Sequence, residues 1–235
     1  MTLRDNISEV RLVYFKSHKG SALITSISLL LMAIIAGIAY GYLYPQIVIH
    51  GDAVATKQLI LDNSHLFTIE LVLWWIIVLL DITVSFSLFS FFKKNSSLIS
   101  LITMVLRLLY SFILGISIIT LSTAQNIEVN SLSRIMQFEN TWSIGLIVFG
   151  IHLFLLGFMS LKSNIVPKIF SWLIIIGGFS YVLIHSLKAM TAIFGNVASI
   201  IEPFLSIPMA LSEVLLSIWL IYGVIKSLRK NATYA

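Results

Sequence analysis

The sequence has no cysteine, only four prolines and few charged residues. Without cysteine there is no disulfide framework, no thiolate nucleophile and no Cys-ligated metal. Charged residues make up 11% of the chain, whereas soluble proteins average about 25%. Glycine-rich phosphate loops, serine nucleophile elbows and redox motifs are also absent, so nothing indicates a pump driven by ATP. The scarcity of charge instead indicates an integral membrane protein.

Long apolar stretches dominate the chain. Hydrophobic residues make up 58% of it, and its mean hydropathy is +1.00. Runs long enough to cross a bilayer as helices occupy residues 21–43, 67–91, 98–121, 142–161, 167–190 and 204–225. The first run is too long for the apolar core of a signal peptide. We therefore predict an all-α polytopic membrane protein, with a six-transmembrane-helix bundle over residues 21–226.

Basic residues are distributed unevenly about these helices. An even number of helices places both termini on one side, and eleven basic residues fall on that side: Arg4, Arg11, Lys16, Lys19, Lys93, Lys94, Lys162, Lys168, Lys226, Arg229 and Lys230. Only Lys57 and Arg134 fall in loops on the opposite side. Because cytoplasmic loops are enriched in Lys and Arg, we predict that the N-terminal segment (1–20) and the C-terminal tail (227–235) are cytoplasmic.

The connections between the predicted helices differ in length. Short turns on the terminal side predict that helices two and three, and helices four and five, form antiparallel hairpins. On the opposite side, Asp52 is placed to cap a short helix running to Asp62. Between Asn126 and Asn140, apolar and charged residues are interleaved, which is typical of a segment on the membrane surface. Both long connections are interpreted as covering loops or, alternatively, as a lid over a cavity.

The first predicted helix has small residues at four-residue spacing, namely Ala33, Gly37 and Gly41. Such a stripe allows two helices to approach closely. We favour packing against another helix of the same chain, and an oligomer formed through these three residues is the alternative.

Seven ionisable residues lie within or at the edges of the apolar stretches: Glu70, Asp81, Arg107, His152, His185, Lys188 and Glu213. A charge at the bilayer centre costs about 2.5 to 3.5 kcal/mol, so such residues normally find partners or face a watery cavity. Counting about 1.5 Å per residue places Asp81 and Arg107 at similar depth on adjacent helices. We therefore predict a buried ion pair between them. We also predict a hydrogen bond between His152 and Glu213, which both fall near the midplane.

Three of these residues are expected away from the midplane. His185 and Lys188 fall in the half of the membrane opposite the termini, and the long side chain of Lys188 can extend to the interface. Glu70 lies near the end of its apolar stretch, and it is expected at the interface for the same reason.

Several short motifs occur in a fixed order along the chain. They are GDAVAT (51–56), LLDI (79–82), LRL (106–108), FGIHLFLLG (149–157), VPKI (166–169), and Glu213 followed by WL (219–220). In this order the sequence resembles a bacterial multi-pass membrane family catalogued as domain of unknown function 4386, over nearly the whole chain. The resemblance implies a six-helix protein of the bacterial inner membrane, and it implies no activity. It marks as matching positions Asp52, Asp81, Arg107, His152 and Glu213, whereas His185 stands where an acidic residue is expected.

Three functions fit these residues. The first is the binding or transport of a small polar or amphipathic ligand in a polar cavity within the membrane. The second is an intramembrane metal-dependent hydrolase, and the third is a structural or regulatory subunit whose polar groups fix helix register. The candidate ligand-binding residues are Asp52, Asp81, Arg107, His152, His185 and Glu213.

No cofactor is predicted, and a divalent metal is the alternative. Its ligands would be His152, Glu213, Asp81 and His185, because imidazole and carboxylate groups suit such metals. The expected partners are the lipid bilayer and a small-molecule or lipid ligand. No nucleic-acid partner is expected, because no basic patch is interleaved with aromatics in a soluble region. Proton coupling through His152 and Glu213 is a hypothesis attached to the transport function.

Overall fold

The computed structural model describes the backbone over residues 3–126 and 130–232, and side chains over residues 9–126, 130–190 and 196–229. Regular structure in these ranges is helical: α1 (Leu3–Ser17), α2 (Lys19–Ala36) with a π-helical extension (Gly37–Leu43), α3 (Tyr44–Ile47), α4 (Ala53–Asp62), α5 (Ser64–Phe92), α6 (Ser97–Ser122) with a 3₁₀ turn (Thr123–Gln125), α7 (Ser131–Ser163), α8 (Lys168–Ala189) and α9 (Thr191–Ala232). The all-α prediction is confirmed.

Six of these helical segments are long and apolar enough to cross a membrane. They are Lys19–Ile47, Ser64–Phe92, Ser97–Gln125, Ser131–Ser163, Lys168–Ala189 and Asn196–Arg229. The predicted six-helix, multi-pass architecture is therefore confirmed. At most of the helices, the ends differ from the sequence estimate by only a few residues. Because six spans separate them, both termini lie at one end of the bundle, here called the terminal end. The opposite end, where α4 lies, is called the α4 end.

The six spanning helices form a closed ring in chain order. Each helix packs against the next, from α2 through α5, α6, α7 and α8 to α9, and α9 packs back against α2. The predicted antiparallel hairpins, α5 with α6 and α7 with α8, are confirmed within this ring. A ring of six helices leaves room at its centre, so side chains from all six can meet there.

Helix α7 begins much earlier than the sequence suggested. It starts at Ser131 rather than at residue 142, because the side chain of Asn130 accepts a hydrogen bond from the backbone N–H of Ser133 at 3.1 Å. Ile135 and Phe138 are completely buried. The predicted surface segment is thus wrong from residue 131 onward, where the apolar residues form an inward face of α7. Residues 127 to 129 of that segment lie outside the described residues.

The N-terminal segment is a helix that packs on the terminal end of α9. Phe15 of α1 is 1% exposed, and its ring lies 5.0 Å from the ring of Trp219. The hydroxyl of Tyr14 donates to the carbonyl oxygen of Phe91. Burial raises the pKa of Tyr14 to about 12, so this hydroxyl keeps its proton and can serve as the donor. Helix α9 continues without a break through residue 226, where a separate tail was expected.

The α4 end is closed by polar contacts. The side chain of Asp52 accepts from the backbone N–H groups of Val54 and Ala55 at 3.1 and 2.9 Å, which confirms the predicted helix cap. Oε1 of Glu139 accepts from the hydroxyl of Tyr44 at 2.6 Å and lies 2.9 Å from Nε2 of His50. Helix α4 packs against α3, α5 and α7. The connection between α2 and α5 therefore covers the ends of the helices that it contacts.

Close helix packing occurs between α7 and α8. A Cβ atom added at Gly178 would lie 2.6 Å from the carbonyl oxygen of Gly150 and 2.6 Å from the backbone nitrogen of Phe154. By contrast, a Cβ atom at Gly37 or Gly41 would meet nothing within 4 Å. The favoured interpretation of the first-helix stripe, packing within the chain, is therefore wrong for these two glycines. An oligomer formed through that outward-facing stripe stays a prediction.

We predict that Gly178→Ala destabilises the protein by about 1 to 3 kcal/mol, because the new methyl group forces apart two backbones in contact. Thermal unfolding of purified protein in detergent checks this. Gly37→Ala is the matched control, since the same change in an open helical position gains helix propensity and clashes with nothing. Equal unfolding temperatures for the two variants would contradict the prediction.

We predict that the terminal end is cytoplasmic. The chain has no cysteine, so single cysteines can be placed without removing native ones. Val54→Cys, at an 82% exposed position in α4, should react with a membrane-impermeant thiol reagent in intact cells. Asn95→Cys, in the exposed turn between α5 and α6, should react only after the cells are permeabilised. The reverse labelling pattern would overturn the assigned orientation.

Candidate functional site

An arginine at the centre of the ring joins three helices. Arg107 on α6 is 0% exposed. Its Nη2 lies 2.6 Å from Oδ1 of Asp81 on α5, and its Nη1 donates to Oε1 of Glu213 on α9 at 2.6 Å. The predicted ion pair between Asp81 and Arg107 is confirmed. The group formed by Asp81, Arg107 and Glu213, here called the ion trio, carries one positive and two negative groups.

The imidazole of His152 on α7 lies beside the ion trio. Its Nδ1 is 2.8 Å from the carbonyl oxygen of Thr103, which can only accept, so Nδ1 carries the hydrogen. Nε2 then faces Nη1 of Arg107 at 3.4 Å as the acceptor. The predicted hydrogen bond between His152 and Glu213 is wrong. Arg107 lies between them because a guanidinium can donate to both an imidazole and a carboxylate.

Local side chains support the helix backbone around the ion trio. The hydroxyl of Ser85 donates to the carbonyl oxygen of Asp81 at 2.8 Å, and the hydroxyl of Ser111 donates to that of Arg107 at 2.9 Å. The guanidinium carbon of Arg107 also lies 5.2 Å from the centre of the Phe149 ring. The charge is thus held by carboxylates on two sides and faces an aromatic ring.

A cavity of about 310 Å³ lies between the ion trio and the α4 end. Its lining comes from α2, α5, α6, α7, α8 and α9, and the aromatic members are Trp74, Tyr110, Trp142, Phe149 and Tyr181. Arg107 and Asp81 line it but are almost fully covered, with side-chain exposures of 0% and 3%, whereas the side chain of Glu213 is 19% exposed. Glu213 is therefore the member of the ion trio that presents its carboxylate to the cavity.

The cavity reaches the surface of the bundle between α2 and α9. Ala33 of α2 and Ala210 of α9 both line the cavity and are both exposed. Next to them, Ile34 and Leu211 are 60% and 42% exposed. Because these residues belong to the membrane-spanning segments, the opening is bordered by side chains suited to contact with lipid. The opening therefore faces the apolar outer surface of the bundle.

The sequence matches one known family over most of its length. The profile of the family described as domain of unknown function (DUF4386) matches residues 24–223. The chain belongs to this family. The DUF4386 chain is also 32% identical over 109 residues to an uncharacterized protein of Archaeoglobus fulgidus, a match spanning 46% of this chain and 60% of that relative. No solved structure matches the chain.

Two of the sequence-predicted site residues lie apart from the ion trio in this DUF4386 chain. Nδ1 of His185 is 2.8 Å from the hydroxyl of Ser143, nearer the α4 end. Asp52 serves as the helix cap of α4. Within the described residues, no group of three or more His, Cys, Asp or Glu side chains is placed to hold a metal. The four residues named for the metal alternative are therefore not gathered into one site there.

Near the α4 end, the side chain of Lys188 is partly exposed as expected, whereas that of Glu70 is buried. Nζ of Lys188 donates to Oε1 of Glu202 at 2.5 Å, and both side chains are more than a third exposed. Glu70, expected at the interface, is 0% exposed, and its Oε1 accepts from Nε1 of Trp74 at 3.2 Å. The interfacial prediction for Glu70 is wrong, because it lies on the inward face of α5.

Sequence reasoning missed the aromatic walls of the cavity. Trp74 lies one turn from Glu70, and a four-residue spacing of carboxyl and indole on a helix could have indicated their hydrogen bond. Trp142 and Tyr110 are joined by a hydrogen bond from the indole N–H to the phenol oxygen at 3.4 Å. Nothing in their spacing relates these two residues, since they belong to different helices.

We predict that Arg107→Ala destabilises the protein by about 3 to 5 kcal/mol, because it leaves two carboxylates without their cation in a desolvated site. Unfolding in mixed micelles of increasing SDS content measures the free energy. Lys188→Ala is the control: it also breaks an ion pair, but that pair is exposed, so its loss should cost less than about 1 kcal/mol. Similar losses in both variants would contradict the prediction.

Proposed function

We propose that this DUF4386 protein binds a small amphipathic ligand in its central cavity and transports it across the membrane. The observation that carries the proposal is the cavity itself, which combines an aromatic wall, a charged floor and an opening between α2 and α9. An amphipathic molecule has one part for each of these surroundings.

The dimensions and lining of the cavity support binding of a small molecule. Its volume of about 310 Å³ is at the lower end of the range of about 300 to 1,000 Å³ found for ligand sites. Ligand sites are mostly apolar and contain a few placed polar groups. Here the partly exposed carboxylate of Glu213 is the polar group in a lining that is otherwise largely apolar and aromatic.

The opening between α2 and α9 supports a ligand that dissolves in the bilayer. Alanine side chains at positions 33 and 210 narrow the gap little, and exposed apolar residues surround it. A molecule partitioned into the hydrocarbon layer can thus reach the cavity without crossing water.

Two other functions remain alternatives to this proposal. A metal-dependent hydrolase would need ligands such as His152 and Glu213 on one ion, but Arg107 lies between these two side chains. A structural subunit would use the ion trio to hold α5, α6 and α9 in register, and that role needs no cavity. The experiment below separates this last alternative from ligand binding.

The geometry also changes the hypothesis of proton coupling. No direct hydrogen bond joins His152 to Glu213, because each contacts Nη1 of Arg107. A proton taken up by Glu213 therefore has no direct path to His152 through these contacts. We accordingly assign any proton coupling in this proposal to Glu213. The proposal also places the protein in a bacterial inner membrane with both termini cytoplasmic.

We predict that Leu146→Trp abolishes ligand binding, because Leu146 is 6% exposed and lines the cavity, and a larger side chain fills that space. Native mass spectrometry of protein extracted in mild detergent, before and after washing, detects small molecules or lipids that copurify. The wild type should retain a species that Leu146→Trp lacks.

The control for this experiment is Ile144→Trp on the same helix. Ile144 is 56% exposed and faces away from the cavity, so the same side chain there should leave the bound species unchanged. Retention of the species by Leu146→Trp, or its absence from the wild type, would contradict ligand binding and favour the structural alternative.

A further inference from the structure

We propose that the cavity selects organic cations, such as amphipathic amines and quaternary ammonium compounds. This inference rests on the proposed function, since it names the chemical class of the ligand that the cavity binds. It is carried by the net charge of the ion trio, the exposure of one of its carboxylates and the aromatic walls.

With both carboxylates ionised, the ion trio carries one uncompensated negative charge. Arg107 is paired with both Asp81 and Glu213, so one guanidinium faces two carboxylates. Arg107 is the cationic residue among those that line the cavity. A net charge in a desolvated site is costly, and the cost is relieved when an opposite charge binds. A ligand cation at this position completes the neutralisation.

Glu213 is the carboxylate available to such a ligand. Its Oε1 accepts from Arg107 at 2.6 Å, while its side chain is 19% exposed against 3% for Asp81. The guanidinium itself is 0% exposed. A ligand in the cavity thus meets the carboxylate of Glu213, whereas the guanidinium of Arg107 is covered by the groups packed around it. An anionic ligand would find no accessible cation in this lining.

The aromatic walls suit the same class of ligand. Trp74, Tyr110, Trp142 and Tyr181 line the cavity in addition to Phe149. Quaternary ammonium groups bind between such rings, because the ring faces carry negative potential. The rings also hold one another in place: the centres of Trp74 and Trp142 are 4.9 Å apart with their planes at 72°. The walls are therefore largely formed before a ligand enters.

A second buried carboxyl group lies behind one of these rings. Glu70 is 0% exposed and accepts from Nε1 of Trp74 through Oε1. Its Oε2 is buried and has no hydrogen-bond partner within the described residues. No cation is paired with Glu70 among the ion pairs of the described residues. Through its hydrogen bond, Glu70 holds the indole of Trp74 in place at the cavity wall.

The test compares ligands that differ in charge but little in shape. Radiolabelled benzyltrimethylammonium is bound to purified protein in phosphatidylcholine nanodiscs, and unlabelled competitors displace it. The competitors are the same cation, its uncharged isostere 2,2-dimethylpropylbenzene, and the anion 3-phenylpropanoate. We expect the cation to compete at a concentration at least about tenfold below that of the isostere, a difference of about 1.4 kcal/mol. The anion should not compete.

Two variants locate the effect within the cavity. Glu213→Gln keeps the shape of the side chain and makes the ion trio neutral, so it should weaken cation binding about tenfold or more. The uncharged isostere, measured directly by ligand-observed NMR, should bind this variant as it binds the wild type. Leu146→Trp should remove the binding of both ligands, because it fills the cavity. The charge series on the unmodified protein still tests the inference if Glu213→Gln does not fold.

The outcomes distinguish the inference from the proposed function. If cation and isostere bind equally, or the anion binds best, and Leu146→Trp removes that binding, selectivity for cations is overturned and the binding function stands. The same conclusion follows if Glu213→Gln binds the cation as tightly as the wild type. If none of the three probes binds, or if Leu146→Trp binds them unchanged, both the inference and the proposed function are overturned.

Discussion

The burial of a single guanidinium constrains much of this structure. Arg107 cannot lose its charge, and it lies at 0% exposure in a helix that crosses the membrane. Its site therefore has to supply acceptors from outside its own helix, and it does so from α5, α7 and α9. Rotating any one of these helices would remove a partner from the charge. The requirement to satisfy Arg107 thus fixes which faces of four helices point inward, and the aromatic walls of the cavity follow from that orientation.

The ring of helices is closed differently on its two sides. Between α7 and α8, backbones touch at Gly150 and Gly178, so the helices are held at the closest approach that side chains allow. Between α2 and α9, the alanines near the cavity leave a gap. Small residues therefore have opposite effects on the two sides of the ring. They allow backbone contact between α7 and α8, and they leave space between α2 and α9. The closest helix packing thus lies on the α7–α8 side, and access to the cavity lies on the α2–α9 side.

Counting residues along the chain predicted much of the fold. The rotation of each helix about its axis, which decides which side chains meet, was not predicted. The number of spanning helices, the Asp52 cap and the similar depth of Asp81 and Arg107 all depend on counting residues along an axis, and each is confirmed. The position of Arg107 between His152 and Glu213 depends on how the helices are rotated about their axes, which a single sequence does not specify. The burial of Glu70 was missed for the same reason.

Helix α9 is held unequally along its length. At its terminal end, Phe15 packs against Trp219 and closely approaches Gly223, whereas Pro203 and Pro208 interrupt its backbone hydrogen bonding toward the other end. Ala210, at the edge of the passage, and Glu213 both lie on the clamped side of the two prolines. Bending at the prolines would move the first turns of α9 while this edge and the ion trio kept their geometry. The passage between α2 and α9 and the charge at its base are thus held as one mechanical unit.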